Sequence, residues 1–256
     1  MSRSYVNVER KGDIAIVRFD RGERLNAFDR QLTEELTETA LAFHKDHETR
    51  AVVLTGMANA FSAGADLKEE RPETGFIEQR ERFHLGRHLC RAWEEMPQTT
   101  VAAIEGLAVG AGVAIAITCD WRVMGRTAYL YVPEVRIGLT LQWQAIPRLV
   151  ALVGPARAKR IVILCEKMGP EQALDWGLIE EIAEDGAAVE KALGLASAAA
   201  AMPQAITTMS KQAINATAHA LLHATSYMDS DLSLLVRDAE EATRLWADFS
   251  GRDRSS

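Results

Sequence analysis

The chain has 256 residues, 48% of them apolar and 25% charged, with a formal net charge of −7. That length carries one large domain or a domain with an appendage, and that charge excludes broad binding to nucleic acid or anionic membrane while leaving room for a small anionic ligand. Cys90, Cys119 and Cys165 are too few and too odd in number for a disulfide framework; with a polar start that is no signal peptide and no apolar run near twenty residues, a reducing cytoplasm is the expected compartment.

In chain order, "YVNVER" and "IAIVRF" are β-rich runs separated by Gly12-Asp13, a hairpin signal. A helix follows with Asp29 as N-cap and Leu32, Leu36, Ala40 and Phe43 along one face. "AVVLTG" reads as a short buried strand. Phe83, Gly86, Leu89, Cys90, Trp93 and Met96 recur at three and four, a second helix stopped by Pro97. "TTVAAIEG" is another strand and "GAGVAIAITCD" a buried helix. "LQWQAIPRLVALVG", "PARAKRIVILCE" and "GPEQALDWGL" are short helical pieces punctuated by Gly-Pro. "GLASAAAAM" is helix-forming rather than flexible. From Pro203 to Phe249 the pattern is almost wholly helical, with Leu221, Leu222, Thr225, Met228, Leu232, Leu235, Val236, Ala239, Trp246 and Phe249 holding the period. The fold class read from this pattern is α/β, an α/β core followed by a helical C-terminal part.

Two small-residue loops stand between strands and helices, "SAGAD" at 62–66 and "GLAVGAG" at 106–112. A chain entering a helix presents unpaired amides, and the helix dipole favours negative charge there. Small side chains let a ligand carbonyl approach the backbone. Two such loops together suit a developing oxyanion; close helix–strand packing is the plainer use of either alone. The glycines of "GLAVGAG" do not fall as G-x-G-x-x-G, and no Gly-Lys-Ser/Thr follows, so dinucleotide and P-loop readings fail.

"FSAGADLKE", "AIEGLAVGAGVAIAITCDWRV" and "PEVRIGLT", in this order and spacing, with "RGERLNAF" before and "ALDWGLIEEI" after, resemble the enoyl-CoA hydratase/isomerase (crotonase) family over about Val6 to Leu195. The resemblance implies a spiral of ββα turns over residues 1–195 and a C-terminal helical region, 196–256, that builds a homotrimer or homohexamer. It implies an acyl-CoA thioester as ligand, with no metal and no cofactor beyond the CoA of the substrate. By the same resemblance Ala65 and Ala111 give one amide each to the thioester oxygen, and Glu134 moves the proton. Arg24, Ala27, Ala65, Asp66, Leu67, Lys68 and Ala111 line the CoA ester, Arg24 and Lys68 facing its phosphates. Hydratases of the family place a second glutamate where this chain has Ala114, and "LTLQWQA" replaces a glycine-rich stretch. One carboxylate suffices for double-bond isomerisation, so the expectation leans there or to slow hydration; a non-catalytic acyl-CoA-binding homologue is the rival. The familiar basic tail is missing from "WADFSGRDRSS".

Other signals point elsewhere. His84/His88 and His219/His223 have the i,i+4 spacing of paired metal ligands but no H-E-x-x-H and no evident third ligand. Ser62 lacks G-x-S-x-G context. Asp120 is expected in packing, and Trp121, Trp143 and Trp176 in the core or a pocket wall.

Overall fold

The computed structural model describes residues 4–69, 75–236 and 239–252. β1 (Val6–Lys11) and β2 (Ile14–Phe19) form the expected hairpin, turning at Gly12 with φ +65°. α1 (Arg30–Phe43) starts at Asp29, whose side chain accepts from the Leu32 amide at 2.8 Å. Then come β3 (Ala51–Thr55), α2 (Phe76–Glu94), β4 (Thr99–Ile104), β5 (Leu107–Val109), α3 (Ala111–Ala116), β6 (Trp121–Gly125) and β7 (Tyr129–Tyr131). The second half holds α4 (Ala145–Ile163), α5 (Pro170–Trp176), β8 (Glu181–Ala183) and α6 (Ala188–Ala200). The C-terminal part is α7 (Gln204–Ala218), α8 (Leu222–Ser226), α9 (Asp229–Val236) and α10 (Glu240–Arg252).

The main sheet runs β1-β2-β3-β4-β6-β8, parallel throughout except for the β1–β2 hairpin. β5 and β7 form a small parallel sheet, which single bridges Ser62↔Ala108 and Phe28↔Ala65 extend across the earlier turns. Each turn thus lays one strand in the main sheet, a short one in the second, and a helix outside: the expected ββα spiral. β3 and β4 are wholly buried, as strands covered on both faces must be, and their unbroken apolar runs follow from that.

Helices cover the two faces differently. On one, Leu32 and Leu36 of α1 and Leu89 and Trp93 of α2 pack into the larger core. On the other, Ala188, Ala192, Ala196 and Ala200 of α6, four residues apart and therefore on one helix face, meet Ile16, Val53, Val101 and Val123. Methyl-sized side chains let α6 lie close, and burying each branched partner contributes about 1.5–3 kcal/mol. The Ala188 amide donates to Glu105 Oε1 at 2.9 Å, anchoring the helix start. Residue 195, where the expected core ends, falls inside this helix.

Several expectations need correction. "GLAVGAG" is not all loop, since Leu107–Val109 pair with Tyr129–Tyr131. The helix in "GAGVAIAITCD" ends at Ala116 rather than reaching Asp120, and β6, β7 and β8 were not expected. α2 begins at Phe76, well before Phe83, on a turn whose Phe76 and Ile77 are exposed and so carry no burial pattern. The face drawn from Leu221 to Phe249 is split among three helices, and Leu222 is buried while Leu221 is 69% exposed. Of the tail "WADFSGRDRSS", residues 246–252 belong to α10 and 253–256 lie outside the described residues. Among those described, no helix is long and apolar enough to cross a membrane.

Candidate active site

The small second sheet brings the two small-residue loops together. Ser62 N donates to Leu107 O and Val109 N to Ser62 O, both at 2.9 Å, so the loops run side by side as parallel strands. Neighbouring amides are engaged: Gly64 N with Ser62 Oγ, Asp66 N with Phe28 O, Gly110 N with Tyr131 O. The amides of Ala65 and Ala111 have no acceptor within the fold among the described residues. Gly64, at φ +94°, permits the approach; a Cβ there would stand 2.8 Å from Val109 O and 3.6 Å from Ala111 N. Ala111 opens α3, so its amide also belongs to the positive end of that helix.

Glu134 faces these amides across a cavity of about 90 Å³ that Ala65, Ala111, Ala114, Glu134 and Trp143 help to line. It sits in a single 3₁₀ turn after Pro133, ended by Gly138 in the left-handed region. The residue as a whole is half-buried, but Oε2 is fully enclosed and has no hydrogen-bond partner. Gly110 (φ +49°) leaves the space it needs, since a Cβ on Gly110 would come within 2.4 Å of Glu134 Oε1. Burial raises the carboxyl to about 7, opposed only by its own backbone amide. A carboxylate so placed takes up and releases protons near neutrality, as a general base must.

Two pH effects follow. A base at Glu134 would act ionised, and kcat/KM of a reaction it drove would be flat above about pH 7 and fall tenfold per unit below it. Stability runs the other way. The folded form keeps its proton up to about 7 while an unfolded carboxyl, at the ordinary 4.5, loses it earlier. The native state then binds more protons between those values, and stability declines as pH rises through that window, by on the order of 3 kcal/mol from this group. Thermal unfolding of wild type and Glu134→Gln should coincide near pH 4 and separate by pH 8, the variant being more stable. Parallel curves across that range would show that the carboxyl is ordinary.

The other expected site residues have definite places. Asp66 is buried and accepts from Arg21 Nη1 at 2.6 Å, Arg24 Nη1 at 2.7 Å and the Lys68 amide at 2.9 Å. Burial alone would raise its carboxyl; the bonds from Arg21, the Lys68 amide and Arg24 hold it below the ordinary range. Asp66 therefore fixes its loop to the "RLNA" turn rather than offering its charge outward. That turn is left-handed over Arg24, Leu25 and Asn26, with φ of 49°, 49° and 62°. Buried Asn26 holds it by donating to Phe19 O and Phe61 O and accepting the Arg21 amide. Arg24 remains 43% exposed, Lys68 is exposed, and Leu67 lines the cavity. Ala27 is buried, and its carbonyl takes Arg21 Nη1.

Residues that sequence reading did not single out complete the walls: Leu139, Thr140, Leu141 and Gln142. Their only signal was the departure of "LTLQWQA" from the family pattern. Burial pushes the thiols of Cys90 and Cys119 up to about 12, which leaves them inert near neutrality. Asp120 ties β4 to α7, accepting from the Thr100 amide at 2.7 Å and lying 2.8 Å from Lys211 Nζ. Among the described residues no three His, Cys, Asp or Glu side chains converge as metal ligands. His219 instead lies 2.9 Å from Glu94, which Arg148 also grips.

A sequence model of the enoyl-CoA hydratase/isomerase family matches residues 9–244. The short-chain-enoyl-CoA hydratase of Clostridium acetobutylicum is 32% identical over 216 residues, 84% of this chain and 82% of that protein. The solved enoyl-CoA hydratase of Bacillus anthracis is similar with a TM-score of 0.78 at 28% identity, over 82% of both chains. Pseudomonas aeruginosa OdaA is similar with a TM-score of 0.86 at 27% identity, over 96% of this chain and 99% of that one.

Proposed function

The chain belongs to the enoyl-CoA hydratase/isomerase family, and on that premise we propose that it shifts the double bond of an enoyl-CoA thioester, with Glu134 as the single proton-carrying group. The observation that carries this reading is the enclosed Glu134 Oε2, without a hydrogen-bond partner, in a cavity where Ala114 supplies only a methyl group. Glu134 takes a proton from C2 of a 3-enoyl-CoA. The electron pair moves toward the thioester oxygen, held by the amides of Ala65 and Ala111, each donor worth about 2.7–4 kcal/mol. The same carboxyl returns the proton to C4, leaving the 2-enoyl product. The balance closes on one proton and needs no electron transfer. Hydration needs a second group to hold and activate water, and Ala114 offers none; slow addition of water through Glu134 alone is the minor course.

CoA handling belongs to the same proposal. Arg24 and Lys68, both exposed on the loops that carry Ala27 and Ala65, suit its phosphates, and Ala27, Asp66 and Leu67 shape those loops along the thioester arm. Incubation with 2-enoyl- and 3-enoyl-CoA, read separately for isomerised, hydrated and hydrolysed products, tests the reading. Conversion of the 3-enoyl ester outpacing hydration supports it. Binding of both esters with conversion of neither puts the non-catalytic reading, which the missing acid at Ala114 favours, in its place.

We also propose a homotrimer or homohexamer. α7 buries none of its residues, although Ile206, Met209 and Ile214 are apolar and 65–68% exposed. Light scattering at micromolar concentration is expected to give three or six chains; a monomer would sink this part.

A further inference from the structure

We infer that Trp143 sets the length of acyl chain the site accepts, admitting short chains and turning long ones away; this rests on the acyl-CoA reading above. The backbone at this point is unusual. Trp143 and Gln144 are both left-handed, with φ of 62° and 57°, a conformation that side-chain-bearing residues adopt only when their surroundings impose it. Arg148 Nη1 donates to the carbonyls of Trp143 at 3.1 Å and Gln144 at 3.0 Å. Arg148 is itself buried and gripped by Glu94 at 2.7 and 2.9 Å. Asp229 Oδ2 takes the Gln144 amide at 2.7 Å, and Gln144 Nε2 reaches Ser226 Oγ at 3.1 Å. Three helices therefore hold this one kink.

The kink delivers the indole to a prepared seat. Gly86 of α2 supplies a bare backbone beneath it: a Cβ there would lie 1.8 Å from Trp143 Cε2. Phe28 meets the ring edge-on, with centroids 5.3 Å apart and planes at 78°. Trp143 stands in the wall of two cavities. One is the small cavity of Glu134. The other, about 430 Å³, is walled by Phe28, Phe83, Leu85 and Trp246 among others, and is of the size that takes a sizeable ligand. An acyl group whose carbonyl lies between Ala65 and Ala111 begins in the small cavity, which has room for a few heavy atoms. A longer chain that continues into the larger chamber runs beside the indole, which lines both. Trp143, seated on Gly86, is the largest side chain common to both walls, which also share Ala65, Leu67, Leu139 and Gln142.

The test is kcat/KM of the intact protein on four-carbon and ten-carbon enoyl-CoA esters, with Trp143→Ala, Trp143→Phe and Gly86→Ala compared by circular dichroism for folding. Wild type is expected to favour the four-carbon ester by about tenfold or more, the scale on which pockets discriminate between apolar groups. Trp143→Ala should raise the ten-carbon to four-carbon ratio at least about tenfold, with Trp143→Phe between. Gly86→Ala, which displaces the ring without removing it, should move the ratio the same way. A wild type that prefers the ten-carbon ester, or folded variants that leave the ratio unchanged, overturns the inference. Should wild type bind both esters yet convert neither, the catalytic reading fails while the Kd ratio of saturated four- and ten-carbon esters still decides about Trp143. Should it bind neither, both fail together.

Discussion

Glu134→Gln is expected to lower isomerisation of a 3-enoyl-CoA by about 10²–10⁴ in kcat while leaving affinity for the ester nearly unchanged. The amide is the same size as the carboxyl, so the cavity shape survives, but it cannot carry the proton. Both proposed oxyanion donors are backbone amides of other residues and stay in place. Removing a transition-state group without a ground-state one lowers kcat and kcat/KM together, and that pattern is the signature to look for. Ala114→Glu, which restores a second acid on the same cavity wall, should raise hydration relative to isomerisation. A harmless Glu134→Gln in an enzyme that turns over would place the chemistry on another residue.

Gly110→Ala should be nearly as damaging, through position alone. Gly110 has φ +49° and ψ −109°, outside the regions open to side-chain-bearing residues. An alanine there costs about 1–3 kcal/mol in backbone strain. The new methyl would also meet Glu134 Oε1 at 2.4 Å, so the carboxyl must swing away from the path it needs. Misplacing a catalytic group by about 1 Å lowers turnover by about 10²-fold. Thermal unfolding and kcat are therefore both expected to fall. A variant with wild-type kcat would mean that the Glu134–Gly110 contact has no part in the chemistry.

Much of this was legible in the sequence because its signals were local. Asp29 announced a helix start by chemistry, and "AVVLTG" a buried strand by composition. The two loops announced themselves by having almost no side chains. What escaped detection depended on distant partners. β5, β7 and β8 are three residues each, too short for any alternation to register. The left-handed turn at Arg24–Asn26 is imposed by Phe19, Phe61 and Asp66 from other turns of the spiral, and no local propensity favours it. Arg24 stands as a phosphate partner by resemblance alone, and its tie to Asp66 appears only when the two loops are folded together. The basicity of Glu134 likewise arises from enclosure, which "PEVRIG" does not encode by itself.

Because Ser62 and Ala108 are paired as neighbouring strands, the loops that carry Ala65 and Ala111 cannot breathe independently. The span between the two amides is set three residues away, by the backbone bonds that join Ser62 to Leu107 and Val109. On the reading proposed above, a thioester entering the gap meets loops already joined to each other, which lowers the ordering cost of its contacts with the amides. The same rigidity makes the gap intolerant: a residue that pushes one loop aside carries the other with it, and losses on the two sides will not add as if they were separate.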